Sequence, residues 1–311
     1  MIIVSIITTA VQMTEPSVSG MIILFILYGV FTFGMITFID ALSSLYFHQG
    51  KKIHYPIARY VGSLSYAVFA LFAGYLASAK AILTSQVIFY IIILLILVLK
   101  IDKAYGVVDI KPVQTNSEKS FFKVLRAYPM FLFLLLATCS SFIGKEMVAN
   151  FLIDVYRGVG GTSKDYGLGI SLLAFSEVPI IFAFEKILVR LGIEKLMIMS
   201  FLFAAIRIFI IMIAPSVFWL NFAQIFQFLG TGLFWAGNVQ FVRTILPAEY
   251  FVKAQSAIGI CYLGIGSGVG SLLSGTILEY TNLFNLLAVS FLFSFLGVVF
   301  MVIGKYITKK V

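Results

Sequence analysis

Apolar segments of about twenty residues recur along this chain, and each is long enough to cross ~30 Å of hydrocarbon as a helix. "SQVIFYIIILLILVLK" (85–100) is typical. Segments of this kind occupy 20–46, 60–79, 81–100, 128–155, 166–188, 196–214, 217–241, 254–278 and 283–304. The opening "MIIVSIITTAVQM" (1–13) is also apolar, but at about 1.5 Å per residue it is too short to span. It lacks the basic start and small-residue cleavage site of a signal peptide. It reads as the second half of a helix, giving nine full spans and one stub. The expected fold is all-α, a polytopic membrane helical bundle.

Composition agrees. The chain is 61% hydrophobic and only 11% charged, too little charge to cover a soluble fold of 311 residues. Its 25 glycines suit helices that approach closely in lipid. The net charge of +9 is spread over short loops, so it reads as topology information and not as a nucleic-acid surface. Sixteen of the 22 basic residues fall in one set of loops, among them Lys51, Lys52, Lys186, Arg190, Arg243 and Lys253. Only Lys80, Arg157 and Lys164 fall in the opposite set. Positive-inside bias then places both termini in the cytoplasm of a cell-membrane protein. The mixed-charge stretch 101–127 reads as a cytoplasmic linker between 1–100, with four helices, and 128–311, with six. Cys139 and Cys261 lie within spans and are expected as free thiols. His48 and His54 share a polar loop and read as solvated; no metal-ligand spacing and no enzyme constellation occurs.

Charges inside spans are informative, because one at the bilayer centre costs about 2.5–3.5 kcal/mol on insertion scales. Asp40 ends one span and Arg59 begins the next; spacing alone leaves snorkelling and function equally open for both. Lys145 and Glu146 interrupt "CSSFIGKEMVANF", Glu177 sits in "LLAFSEVPII" and Arg207 in "LFAAIRIFI". For these, the choice lies between helix-fixing pairs and function. Pro179 frees a backbone carbonyl near Glu177 and permits a kink. Gln224, Gln227, Trp235, Asn238 and Gln240 make 217–241 unusually polar, suited to interhelical hydrogen bonds or to a water-filled path. "GICYLGIGSGVGSLLSG" (259–275) follows no strand, so it reads as a close-packing surface, not a phosphate loop.

"FIDALSSLYFHQGKKIHYPIARYVGSLSYAVFALFAGYL" (38–76) resembles the fourth and fifth helices of the lactose-permease-like branch of the major facilitator superfamily. That branch includes oligosaccharide, nucleoside and phenylpropionate proton symporters. "VYRGVGGTSKDYGLGISLLAFSEVPIIF", "VRLGIEKLMIMSFLFAAIRI" and "GIGSGVGSLLSGTILEY" extend the likeness through most of the chain. The resemblance implies a major-facilitator bundle with about ten of the usual twelve helices, the first two being absent. It puts Asp40 and Arg59 at the acid and arginine that recognise sugar hydroxyls, and Tyr66 where an aromatic stacks on the solute. Arg207 matches an arginine implicated in proton coupling, and Glu177 an acid in the coupling region. Gln227 stands where relatives carry a histidine; glutamine does not titrate, which puts coupling through that position in doubt. Lys145, Glu146, Asn150, Gln227 and Asn238 are expected cavity-lining residues. The implied function is a secondary transporter, a symporter of protons with a sugar, nucleoside or aromatic acid. It needs no cofactor, contacts lipid and acts as a monomer. A truncated non-transporting pseudo-permease and a proton-driven exporter are the rival readings.

Overall fold

These apolar segments are helical, though three of them are interrupted part-way. The computed structural model describes residues 1–14, 16–48, 55–76, 78–100, 121–247 and 250–308. The expected linker as far as residue 120 lies outside them, as do Lys51, Lys52 and His54. Asp40, His48 and Arg59 fall within helical backbone, but their side chains are outside the described ones. Among the described residues all regular structure is helical. The helices are α1 (Ile2–Gln12), α2 (Val18–His48), α3 (Tyr55–Ala73), α4 (Ala79–Lys100), α5 (Phe121–Ala127), α6 (Pro129–Gly158) and α7 (Ser163–Ser176). There follow α8 (Val178–Leu191), α9 (Ile193–Ile213), α10 (Val217–Ile225), α11 (Thr231–Ile245), α12 (Phe251–Gly259), α13 (Ser267–Tyr280) and α14 (Leu283–Thr308).

Six uninterrupted or nearly straight helical segments among the described residues are long and apolar enough to cross a bilayer: Ala79–Leu99, Pro129–Gly158, Ile193–Ile213, Val217–Ile245, Lys253–Tyr280 and Leu283–Thr308. A seventh, Ser163–Ile180 with Ala183–Leu191, is bent by 64°.

The chain divides into two compact units, Met1–Arg59 with Tyr75–Val113, and Tyr60–Gly74 with Gln114–Val311. In the first unit α1 is inside-out: Ser5, Thr8, Thr9 and Gln12 are buried while Ile3, Ile7 and Val11 are exposed. Apolar side chains face outward where the surroundings are lipid, and hydroxyls turn inward to backbone and side-chain acceptors. Thr9 Oγ1 donates to Ser5 O at 2.8 Å, and Ser5 Oγ lies 3.4 Å from Thr32 Oγ1 on α2. Gln86 Nε2 on α4 donates to Tyr28 Oη at 2.5 Å, tying α4 to α2.

In the second unit α6 and α14 pack along matched seams. Met130, Leu134, Ala137, Ser141, Gly144 and Val148 on α6, and Leu287, Ser290, Ser294, Gly297, Met301 and Gly304 on α14, are all buried. Both sets alternate steps of three and four residues, the spacing of a left-handed helix pair. Small residues let the backbones meet. A Cβ at Gly144 would collide with Ser290 O, and one at Gly297 would lie 3.0 Å from Ala137 O. Ser140 Oγ donates to Phe293 O at 2.5 Å. The end of α3 meets α7 at Gly74 and Gly167, where an added Cβ at Gly167 would come 2.7 Å from Ala70 O. A capping box of Thr162 and Asp165 starts α7: Thr162 N donates to Asp165 Oδ2 at 2.7 Å.

Three spans of this unit break mid-course. α7 gives way to α8 at Glu177, just before Pro179. A 3-10 turn, Phe226–Phe228, separates α10 from α11. A π-helical stretch, Ile260–Gly266, joins α12 to α13 within the glycine-dense segment. That segment does pack closely: a Cβ at Gly266 would lie 2.7 Å from Phe142 Cβ, and one at Gly270 2.8 Å from Glu146 Cβ.

Candidate solute and proton site

Irregular backbone at membrane depth persists only where protein buries it or a watered cavity meets it. The second unit's breaks are therefore candidate positions for chemistry, and two of them carry side chains that bond to each other. Glu177, at the α7–α8 break, accepts from Gln227 Nε2 in the 3-10 turn at 3.1 Å. Gly232 lies beside them: a Cβ there would sit 3.3 Å from Ile180 Cγ2 and in ordinary contact, 3.6 Å, with Glu177 Cγ. Gln227 is buried and Glu177 half-buried.

One turn before Gln227, Gln224 is fully buried and accepts from Arg207 Nη2 at 2.6 Å. Arg207 projects from α9 and is itself buried, within electrostatic reach of Tyr156 and Glu177. Its Nε has no partner among the described residues, nor has Gln224 Nε2. A hydrogen bond to a charged group contributes about 1.5–3 kcal/mol, no more than the penalty of placing a guanidinium at this depth. Helix fixation by a single glutamine does not by itself account for a buried arginine. Beside this pair the Tyr156 hydroxyl donates to Asn221 Oδ1 at 2.8 Å and sits against Gly169, where a Cβ has no room.

Lys145 lies near the middle of α6, half-buried, with Nζ 5.0 Å from the centroid of the Phe142 ring. It is within electrostatic reach of Arg207, Glu177 and Glu146. Glu146 accepts from Ser267 Oγ at 3.3 Å. Asn150 is exposed and bonds along the α6–α13 seam, donating to Ser271 Oγ at 3.1 Å. Asn238 is buried on α11, three turns beyond Gln227, and its Oδ1 has no partner among the described residues. Tyr66 on α3 is exposed and within electrostatic reach of Glu177. The structure thus gathers Glu177, Gln227, Arg207 and Lys145, sets Tyr66 near them, and places Glu146 and Asn150 on the α13-facing side of α6. A cavity of about 400 Å³ lined by Leu191, Gly192, Ile193, Glu194, Lys195 and Lys305 includes none of these residues.

Comparison with known proteins assigns the chain. Residues 1–289 match the model of the MFS_1 like family. The chain belongs to the MFS_1-like family. It is therefore a major facilitator protein, all-α and multi-pass, in keeping with its helices. Over 271 residues this MFS_1-like chain is 23% identical to the maltose permease of Geobacillus stearothermophilus, a match covering 83% of this chain and 64% of the permease. The chain thus spans about 64% of the length of that relative.

Sequence reading of the MFS_1-like chain found the charges but not all their neighbours. Tyr156 and Asn221 carry no charge and are indistinguishable by pattern from ordinary span residues. Gln224 stood out only as one of several polar residues in 217–241; its bond to Arg207 depends on how α9 and α10 are turned towards each other.

Proposed function

We propose that this protein is a secondary transporter of the cell membrane that moves a small solute together with a proton, both termini lying in the cytoplasm. Residues 1–100, an incomplete N-terminal half, and 128–311, a six-helix half, are joined by 101–127, and the chain is one of the lactose-permease-like branch. The observation that carries the reading is the Glu177–Gln227 hydrogen bond at a helix break, beside a buried arginine. Glu177 is the proton carrier: a titratable group half-buried among polar partners within the membrane changes charge with each cycle. Gln227 does not titrate, so it orients the carboxylate and leaves the proton to Glu177. Arg207, held by Gln224 and within electrostatic reach of Glu177, is the cation that senses the carboxylate's change of charge.

Asp40, Arg59 and Tyr66 contact the solute, the first two through hydrogen bonds and Tyr66 through its ring face. A sugar, a nucleoside and an aromatic acid each satisfy that combination. Proton and solute together then favour one of two arrangements of the bundle, and only the difference in their affinity for the two arrangements drives the change.

The reading is tested in vesicles that carry the full chain and an imposed pH gradient. Glu177→Gln is expected to abolish uphill accumulation while leaving solute exchange intact. Uphill accumulation at the wild-type rate in that variant would remove Glu177 from the coupling step.

A further inference from the structure

We propose that Lys145 and the aromatic side chains beside it form a subsite for a carboxylate attached to a flat apolar ring, making the solute an aromatic monocarboxylate. This rests on the transporter reading above and selects one of the solute classes it leaves open.

Lys145 brings an ammonium, with three donors and no acceptor, to the middle of a membrane-crossing helix. Among the described residues it makes neither a hydrogen bond nor an ion pair; its contact is the face of Phe142. The two carboxylates within electrostatic reach are engaged elsewhere, Glu146 with Ser267 and Glu177 with Gln227. A cation kept at this depth with no counter-group bonded to it among the described residues is suited to an anion brought by a ligand.

The aromatic residues around Phe142 add the second half of the subsite. The Phe142 ring lies 5.5 Å from Tyr262 and 5.9 Å from Trp235, and those two meet edge to face at 4.9 Å. They come from α6, α11 and the π-helical stretch, so three elements converge on one aromatic group. Phe142 is buried, whereas Trp235 and Tyr262 are only half-buried. π-helical turns concentrate at functional positions, and this one carries Tyr262. A sugar or nucleoside presents many hydroxyl and amide groups that each need a partner. Lys145, Phe142, Trp235 and Tyr262 supply chiefly a cation and ring faces. An aromatic carboxylate matches that set: the anion on Lys145, the ring against Trp235 and Tyr262.

The chain has two tryptophans, so Trp219→Phe leaves Trp235, inside the subsite, as the sole tryptophan, excited selectively over the tyrosines. Purified full-length protein of that background is titrated with phenylacetate, with phenylacetamide, which has the same shape without the charge, and with maltose. Phenylacetate is expected to give a saturable change. Phenylacetamide, and phenylacetate on Lys145→Gln, should each bind about tenfold more weakly or worse. Lys145→Arg, which keeps the charge, should retain most of the affinity. Equal affinity for acid and amide, an unchanged response in Lys145→Gln, or no response to phenylacetate overturns the proposal. If Lys145→Gln fails to fold, the acid–amide comparison on Trp219→Phe alone decides. Vesicles that accumulate maltose while the protein ignores phenylacetate leave the transporter reading standing and sink this one. Lys145-dependent phenylacetate binding without proton-driven uptake does the reverse.

Discussion

Arg207 and Gln224 show what a single side chain is asked to do inside this bundle. Removing one member of a buried, charge-assisted pair leaves the other unsatisfied, whereas removing both leaves no uncompensated charge. Gln224→Leu is therefore expected to destabilise the fold by about 1–3 kcal/mol, and Arg207→Met/Gln224→Leu by less than the two single changes together. Thermal unfolding of the four proteins measures the coupling; strictly additive effects would mean that the 2.6 Å bond contributes nothing. Gly169 makes a different demand. Its Cα faces the Tyr156 hydroxyl, so Gly169→Ala has to push that ring off Asn221, with a loss of about 1–3 kcal/mol. Adding Tyr156→Phe, which deletes the hydroxyl, should recover part of the lost stability. At this scale the sequence made Lys145, Glu177 and Arg207 legible, because charge in an apolar run stands out. Tyr156 and Gly169 gave no signal, since their importance is a matter of one atom's position.

Helices pack here by shape more than by composition. α6 and α14 are both largely apolar along the faces that meet, and the hydrophobic effect that pairs helices in water is absent between them in lipid. Small residues at heptad-like spacing decide which faces meet. Gly144→Ala is accordingly expected to lower the melting temperature, because the new methyl meets the rigid carbonyl of Ser290. Gly275→Ala, on an open face of α13, should be neutral or slightly stabilising, by up to about 1 kcal/mol from helix propensity. Equal melting of the two variants would refute the seam as the determinant of this contact. α1 carries the same lesson in the first unit. Its polar residues at 5, 8, 9 and 12 could be read from the sequence as a stripe, yet only the fold shows that the stripe is the buried side. The breaks in α7–α8, α10–α11 and α12–α13 were partly foreseeable. Pro179 announced the first, but no proline marks the 3-10 turn or the π-helical stretch.

On the scale of the whole molecule, the distribution of basic residues makes the sharpest prediction. With Cys139 and Cys261 replaced by serine, Lys253→Cys should be labelled by impermeant reagent only from the cytoplasmic side, and Lys164→Cys only from outside. The opposite pattern would invert the proposed orientation. Membrane residence and most helix positions were open to the sequence alone, because length and apolarity act locally and need no knowledge of neighbours; loop charge adds an expected orientation that the labelling experiment tests. Segment boundaries expected from apolar runs, such as 128–155 and 283–304, fall within a few residues of Pro129–Gly158 and Leu283–Thr308. What the tertiary structure decided is which polar groups satisfy one another. Glu177 and Gln227 are fifty residues apart, and Asn150 and Ser271 are 121 apart. No local pattern pairs such residues. For Asn150 and Ser271 the pairing goes with the close approach of α6 and α13 that Gly270 allows, and for both pairs with helix rotations that lipid leaves free and packing alone settles.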